Sequence, residues 1–513
     1  MSNKPHRSTS RRSFLQSAAA GAALGLGDFG FLSQLGSVSA ADSTIDTSTV
    51  RLRPEIEPLV KVLEETPRDK VLEEVAARIK RGATYPEVLA ALLLAGVKNI
   101  QPRPDVGFKF HAVLVVNSAH LASQSSPDSD RWLPIFWAID EFKSSQARDV
   151  QEGNWTMAPV KESSVPSVEK ARDAFVDAMT RWDEPAADGA VAALARSRGS
   201  NELFDLFARF GVRDFRAIGH KAIYVANSWR TLHSIGWQHS EPVLRSLAYA
   251  LLNHGRDPNP SGADLDADKP GRKNLERLKT IRSDWQVGRV DESATRQLLD
   301  VLRTGSDDDA CEKTVELLNG GVSPQSVFDA LFAGAGELLM RQPGIVALHA
   351  VTSTNAMRYL FESCADDETR RLVLLQNAAF LPLFRKGMMG RGKVADLKIE
   401  ELQPAEMKGK PADLIGEIFH DVSADPGAAA RKTLAYLNSG NGAHDFIDAA
   451  RRLVFLKGND SHDYKFSSAV LEDYFHASPQ WRNLFLASSV YKLNGAGEQD
   501  NALVARIRNA FEA

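Results

Sequence analysis

Apolar residues recur at three- and four-residue spacing along most of the chain, as at Val71, Val75 and Ile79. This spacing places them on one face of a helix. The runs are rich in alanine and leucine and are separated by Gly, Pro and Asp, which end helices. Residues Phe108–Leu121 and Ile345–Phe361 are apolar nearly all round, which is typical of buried helices. No convincing period-two strand interrupts the pattern, so the sequence predicts an all-α protein.

One stretch of the helical pattern occurs twice, because Arg81–Leu121 aligns with Asn319–Tyr359 without a gap. Internal repeats of this kind determine architecture. The matched positions carry residues of special geometry or chemistry: Gly82 with Gly320, Pro86 with Pro324, His111 with His349 and Asn117 with Asn355.

The parallel continues beyond this stretch, since Asp173–Phe210 resembles Asp413–Leu453. Two further pairs of histidines also match: His220 with His462 and His239 with His476. We therefore predict two homologous helical halves, residues 50–255 and 306–513, joined by a linker and charged helix at 256–305. Such halves commonly pack about a pseudo-two-fold axis, as a bundle or a helical repeat.

The N-terminus predicts an export signal in residues 1–40. Arg11-Arg12 lies in a segment that resembles a twin-arginine motif, and an Ala/Gly-rich run and a small-residue cleavage site, Val38-Ser39-Ala40, follow. The alternative, a short membrane anchor, fits less well because Asp28 interrupts the run. The sequence thus predicts the twin-arginine translocase as a partner and a periplasmic or extracellular location. This route exports folded proteins, which favours a bound metal or cofactor.

The net charge argues against a nucleic-acid partner. The full chain carries −4, and loss of residues 1–40 removes four basic residues and one acidic residue, leaving about −7. No later apolar run reaches the roughly 20 residues of a membrane span. The two cysteines, Cys311 and Cys364, do not form a disulfide framework, and one bridge between them is left open.

The matched histidines are the candidate metal ligands. Neutral imidazole is a common metal ligand, and helical bundles build metal sites from facing helices. Each half could hold its own three-histidine site, or all six could surround a joint site. They could equally be core histidines, and a capping role is open for the two that precede a proline by three residues. The candidates are His111, His220, His239, His349, His462 and His476.

Polar residues near these histidines are candidates for catalytic roles. Tyr224 is at i+4 from His220, and Lys465 is at i+3 from His462, so each shares a helix face with its histidine. Arg245 and Arg482 match across the halves and could orient an anionic group, pair with a buried carboxylate or lie on a helix surface. Two carboxylates could complete a histidine–carboxylate site or lie on solvated faces: Glu241 and Glu337. The chain has no phosphate loop, GxSxG, CxxC, CxxCH or HExxH motif.

Several short motifs are spread over most of the chain: the Gly-x-Ser/Thr arrangement near Ala83–Leu89 and Gly321–Val327, His220-Lys-Ala-Ile-Tyr224, His349-Ala-Val-Thr352 and His462-Asp-Tyr-Lys465. Together they resemble the questin oxidase-like family, helical proteins implied in the oxidation of aromatic polyketides. The resemblance implies an oxygen-dependent oxidoreductase with three histidines, His220, His349 and His462, near the reacting centre. The export signal departs from that family, so its substrate is not carried over.

Two hypotheses follow. The first is an exported oxidoreductase with a histidine-bound metal (iron, copper, manganese or zinc) that activates oxygen or water. The second is a non-catalytic helical scaffold that binds a protein or polymer in the cell envelope. Convergence of three or more matched histidines on one site favours the first; scattering among separate helix contacts favours the second.

Overall fold

The computed structural model describes residues 55–103 and 108–512, which belong to one compact unit. The predicted export signal and its cleavage site lie outside these residues. The described part is helical, with one isolated bridge between Arg289 and Val322 in place of any strand, which confirms the all-α prediction. No helix in these ranges has the length and apolar character required to cross a bilayer.

A first series of helices covers the part of the chain up to residue 252. Its members are α1 (Glu57–Glu65), α2 (Val71–Lys80), α3 (Tyr85–Asn99), α4 (Phe108–Leu114), α5 (Val116–Gln124), α6 (Leu133–Glu152), α7 (Val168–Arg181), α8 (Glu184–Ser197), α9 (Ser200–Gly211), α10 (His220–Ile235) and α11 (Ser240–Leu252). Helix α12 (Lys269–Arg277) follows in the predicted linker.

A second series of helices covers the chain from residue 292. Its members are α13 (Glu292–Thr304), α14 (Asp307–Asn319), α15 (Pro324–Arg341), α16 (Ile345–Ser363), α17 (Asp367–Met389), α18 (Pro411–Ala424), α19 (Pro426–Asn438), α20 (Ala443–Lys457), α21 (Ser461–His476) and α22 (Pro479–Ser488), before the terminal α23 (Leu503–Glu512).

The internal duplication stays a prediction from the sequence, and the helices can be compared at the positions that the sequence matches. One continuous helix, α16, stands where the first series has α4 and α5, which are separated at Val115. Helix α13 holds the place of α1, although the sequence assigns its residues to the linker. Its Leu298, Leu299 and Leu302 are buried in the core. The duplication itself still rests on the sequence parallel.

Local sequence explains where several of these helices begin. The carboxylate of Asp183 accepts a hydrogen bond from the Ala186 amide at the start of α8, and Asp425 does the same for Ala428 at the start of α19. Such N-caps satisfy amides that have no partner within the helix. A proline follows within the first turn of both helices, where its missing N–H costs nothing.

Four buried helical segments meet at the centre of the molecule. Helix α10 packs on α16, α16 packs on α21, and α21 packs on α4 and α5, which also contact α10. Each segment is buried on most of its circumference, as its nearly continuous apolar pattern predicts. Polar side chains carried by these segments are therefore enclosed by protein. Both cysteines are also buried, and each is a free thiol.

Candidate metal centre

Four histidines converge at the point where the central helices meet. They are His111 on α4, His220 on α10, His349 on α16 and His462 on α21, and all four are buried. One potential ligand atom from each lies within 4.8 Å of the others. Within the described ranges, this is a group of His, Cys, Asp or Glu side chains with the spacing to hold a metal ion. Two of the three matched histidine pairs are thus brought together.

His220 is held by a strained turn at the start of α10. Its Nδ1 lies 2.7 Å from the carbonyl oxygen of Ala217. Ala217 and Ile218 have φ values of 51° and 45°, a left-handed conformation that is a clear outlier for a β-branched side chain. Strain of this kind persists where the surrounding structure imposes it and is concentrated at functional sites. Here it directs a backbone carbonyl at the imidazole.

A glycine lets the helix that carries His220 approach the helix that carries His349. Gly219 has a φ of +83°, and a Cβ built on it would lie 2.6 Å from the Cβ of Ser353 on α16. Any larger residue would be strained at this φ and would also push the two helices apart. The sequence Gly219-His220 therefore sets both the turn and the approach of the two histidines.

His349 and His462 are also held through Nδ1. The Nδ1 of His349 lies 2.6 Å from the carbonyl oxygen of Ile345, one turn earlier in α16. The Nδ1 of His462 lies 2.6 Å from Oδ1 of Asp460, which also accepts a hydrogen bond from the His462 amide as the N-cap of α21. Metal-ligating histidines commonly donate their second N–H to a carbonyl or a carboxylate in this way, which fixes the ring and its tautomer.

These Nδ1 contacts leave the Nε2 lone pairs of His220 and His349 facing each other. A carbonyl oxygen can only accept, so Nδ1 of both His220 and His349 carries the hydrogen, and Nε2 of each neutral ring is an acceptor. The two Nε2 atoms nevertheless lie 2.9 Å apart. The Nε2 of His111 lies 2.9 Å from the same His220 nitrogen. At least one of these contacts joins two acceptors, and only a shared proton or a cation between them makes it favourable.

Burial disfavours the shared proton. It lowers the pKa of His111, His220 and His349 well below the ordinary value, and the charges of Lys465 and the neighbouring imidazoles lower it further. The pKa of His462 is also lowered by burial, against the opposing effect of Asp460. The rings are therefore neutral at neutral pH, the form in which imidazole binds metals.

Lys465 stands one helical turn after His462 and acts on the whole cluster. Its side chain is buried, and no group in residues 55–103 or 108–512 accepts a hydrogen bond from its Nζ. Its charge lowers the pKa of all four histidines. Burial in turn lowers the pKa of Lys465 to about 7, although Asp460 partly opposes this. This predicted residue therefore lies beside the cluster.

The other matched pair of histidines lies away from the cluster. His239 is buried immediately before α11, and His476 is the last residue of α21, with Nδ1 3.3 Å from a Glu362 carboxylate oxygen. His462 and His476 occupy opposite ends of α21, about 21 Å apart at 1.5 Å per residue. Neither of the two arrangements left open from the sequence, a three-histidine site in each half or a joint site of all six, is observed: the cluster takes two histidines from each half, and His239 and His476 lie outside it.

Three predicted catalytic residues make structural contacts. Arg245 is fully buried and bonds Asp188 through Nε at 2.7 Å, which is one of the roles open to it from sequence. The guanidinium of Arg482 lies over the ring of Tyr474. Tyr224 donates its hydroxyl hydrogen to Ser246 at 2.8 Å.

Both candidate carboxylates are paired with arginines instead of completing a histidine–carboxylate site. Glu241 accepts from Arg196 at 2.8 Å, and Glu337 accepts from Arg303 at 2.6 Å. The carboxylate that does reach the cluster, Asp460, was missed. The sequence does carry a signal for it. An aspartate two residues before a histidine, at the start of a helix, can cap the helix and also accept a hydrogen bond from the histidine ring.

Comparisons of the chain with protein-family models, curated proteins and solved structures gave no match. The resemblance to the questin oxidase-like family therefore stays a prediction from its short motifs.

Proposed function

We propose that this protein is an exported, metal-dependent oxidoreductase in which His111, His220, His349 and His462 bind the metal. One observation carries the proposal: Nε2 of His220 and Nε2 of His349, both acceptors, lie 2.9 Å apart in a buried site. A cation between them removes the repulsion of the two lone pairs. Neutral imidazoles are suited to supply such ligands, and Nδ1 is engaged in His220, His349 and His462.

The spacing of the nitrogens favours some metals over others. Two nitrogens 2.9 Å apart, each about 2.0–2.1 Å from a shared ion, subtend an angle of about 90°. Square-planar and octahedral sites have this angle, whereas zinc prefers a tetrahedral one. An all-imidazole site of this kind suits copper and iron ahead of manganese and zinc. Both metals change oxidation state, which supports an oxidoreductase.

The protein groups around the ion would have separate tasks. The metal would supply redox or Lewis-acid chemistry towards oxygen or another small reactant. The Ala217 and Ile345 carbonyls hold two rings in place, and Asp460 makes His462 a stronger electron donor. Burial of all four rings keeps bulk water away. The motif resemblance supports the same class of reaction, because the three histidines that it implies are all in the cluster.

The non-catalytic scaffold is the weaker hypothesis. It expects the matched histidines to be scattered among separate helix contacts. Four of them instead share one site at the meeting of four helices, an arrangement that supports chemistry there.

Elemental analysis of the mature protein tests the metal, together with two variants, His220→Ala and His462→Ala. We expect a stoichiometric transition metal in the wild type and its loss in both variants, with the helical circular dichroism retained. His239→Ala is the matched control, because it removes a buried, sequence-matched histidine outside the cluster. Absence of metal after loading with copper or iron, or equal metal loss in His239→Ala, would contradict the proposal.

The export part of the proposal has its own test. The twin-arginine motif rests on Arg11 and Arg12, so their replacement by lysine should leave the protein in the cytoplasmic fraction and uncleaved. Export of the double variant at the wild-type level would refute the twin-arginine route without bearing on the metal.

A further inference from the structure

Lys465 differs from the other buried lysines of the described residues. Nζ of Lys143 donates to the carbonyl oxygens of Leu63 and Glu64, and Nζ of Lys221 is 2.9 Å from a carboxylate oxygen of Asp214. Lys465 is as deeply buried, with 3% of its surface exposed, yet Nζ has no acceptor among the described residues. A buried amine without an acceptor is costly, and native structures rarely leave one so.

The position of Lys465 shows where the missing acceptor belongs. It lies one turn after His462 on the same face of α21, and its charge acts on all four histidines. The amine therefore lies beside the ligand cluster itself. A group that accepts from Nζ there would also be next to a metal held by the four rings.

The charges at the site favour a negative group. The four imidazoles are neutral, Asp460 contacts the cluster, and the charge of Asp463 also acts on His462. A divalent ion and a lysine ammonium would still carry more positive charge than these two carboxylates balance. Enclosed charge of one sign is strongly unfavourable unless an opposite charge compensates it.

We propose that the four-histidine centre binds a small anion that ligates the metal and accepts a hydrogen bond from Lys465 Nζ. This inference rests on the proposed function, since it requires a metal at the cluster. The expected ligand is of the size of hydroxide, azide or a reduced oxygen species, because the four imidazoles are closely packed, with ring centroids 4.4–5.2 Å apart between neighbours. Lys465 would then select anionic over neutral ligands.

Azide binding to the copper-loaded full-length mature protein tests the inference. Azide is a small anion, and its coordination to copper produces an absorption band that can be titrated. Metal content is measured first in every sample, so a wild type that takes up no metal refutes the proposed function and the inference together. When metal is present, the azide titration reports on the inference alone.

The decisive variant is Lys465→Met, which keeps the length of the side chain and removes the charge and the donor. We expect its dissociation constant for azide to be about tenfold or more above the wild-type value, as for the loss of a charge-assisted hydrogen bond. Lys143→Met is the control, because it removes another buried lysine that lies on α6 and bonds elsewhere. It should bind azide like the wild type.

The inference is overturned if Lys465→Met binds azide as tightly as the wild type or more tightly, or if the metal-loaded wild type does not bind azide. If Lys465→Met does not fold or retain metal, Lys465→Gln provides the same comparison with a polar side chain of similar length. Loss of metal from both folded variants would mean that Lys465 helps to hold the metal itself, and this would also overturn the inference.

Discussion

Replacing Asp460 with asparagine isolates the effect of one negative charge on the metal centre. Asp460 has two tasks: it caps α21 by accepting from the His462 amide at 2.8 Å, and it accepts from the His462 ring at 2.6 Å. Asparagine is as good an N-cap as aspartate, and its carbonyl oxygen can still accept from the ring. The variant therefore keeps the helix and the orientation of His462 and removes the charge.

The expected loss of metal affinity is about 10- to 100-fold, the usual cost of altering a group that holds a ligating histidine. This corresponds to about 1.4–2.7 kcal/mol of metal-binding free energy. The carboxylate is coupled strongly to the ring: although burial opposes it, the hydrogen bonds from His462 lower the pKa of Asp460 to about 2. The free energy of unfolding without metal should change much less, because the cap is retained.

Competition with a chelator of known affinity measures the effect, and urea unfolding of the metal-free protein measures stability. Asp425→Asn is the matched control, because Asp425 caps α19 in the same way and lies on no helix of the cluster. The reasoning is refuted if Asp460→Asn and Asp425→Asn have the same metal affinity as the wild type. It is also refuted if Asp460→Asn loses metal only because α21 unfolds.

Three further predictions concern the turn, the pH dependence and a predicted residue outside the cluster. Gly219→Ala should lower the free energy of unfolding in urea by at least about 1–2 kcal/mol, the cost of a left-handed alanine, because its Cβ would also meet Ser353. Gly262→Ala, which lies in no helix and whose Cβ would meet nothing within 4 Å, should change it by less than about 0.5 kcal/mol. The metal-free protein should lose stability in urea as the pH falls below about 6.5, because the unfolded histidines take up protons that the buried ones exclude; equal stability at pH 7.5 and 5.5 would contradict this. Arg245→Met should lower the free energy of unfolding by about 3 kcal/mol, since it leaves the Asp188 carboxylate without its cation, and should leave metal content unchanged.

The all-α class was accessible from the sequence, and so was the candidacy of the four clustered histidines among six possible metal ligands. Helical spacing of apolar residues is a local property, and it held along the described chain. The pairs His111/His349 and His220/His462 stood out because they recur at matched positions. Both pairs lie on the four central segments, whereas His239 is also matched and buried but lies outside these segments.

The failure with His239 and His476 has a simple geometric reason. Sequence matching finds residues that two halves share, whatever their purpose, and does not measure distance. The spacing along one helix could have excluded His476, since 14 residues of α-helix separate it from His462. The contact from the Ala217 carbonyl could not have been predicted from the sequence, because the left-handed backbone at Ala217 and Ile218 is imposed by tertiary packing and is not encoded by their residue types.

The matched helices α10 and α21 contribute different groups to the site. Each carries a histidine of the cluster in its first turn, but the groups around these two residues differ. In the matched alignment, Asp460 stands opposite Ile218 and Lys465 opposite Ile223. The His462 ring is therefore held by a carboxylate and lies near an amine, whereas a backbone carbonyl holds the His220 ring. Both charged groups close to the cluster come from the second half.

The same two helices show which matched positions can differ. Ten residues after each histidine, Arg230 on α10 and Glu472 on α21 form an ion pair at 2.7 Å. Two identical charged residues would repel each other there, so a direct contact between charged residues at matched positions requires opposite charges. A metal between matched positions has the opposite requirement, because each ligand must donate a lone pair to the same ion. Matched histidines that are identical, next to neighbours that differ, are therefore the pattern expected of a shared ion. The first half would supply two ligands, and the second half would supply two ligands and both charged groups.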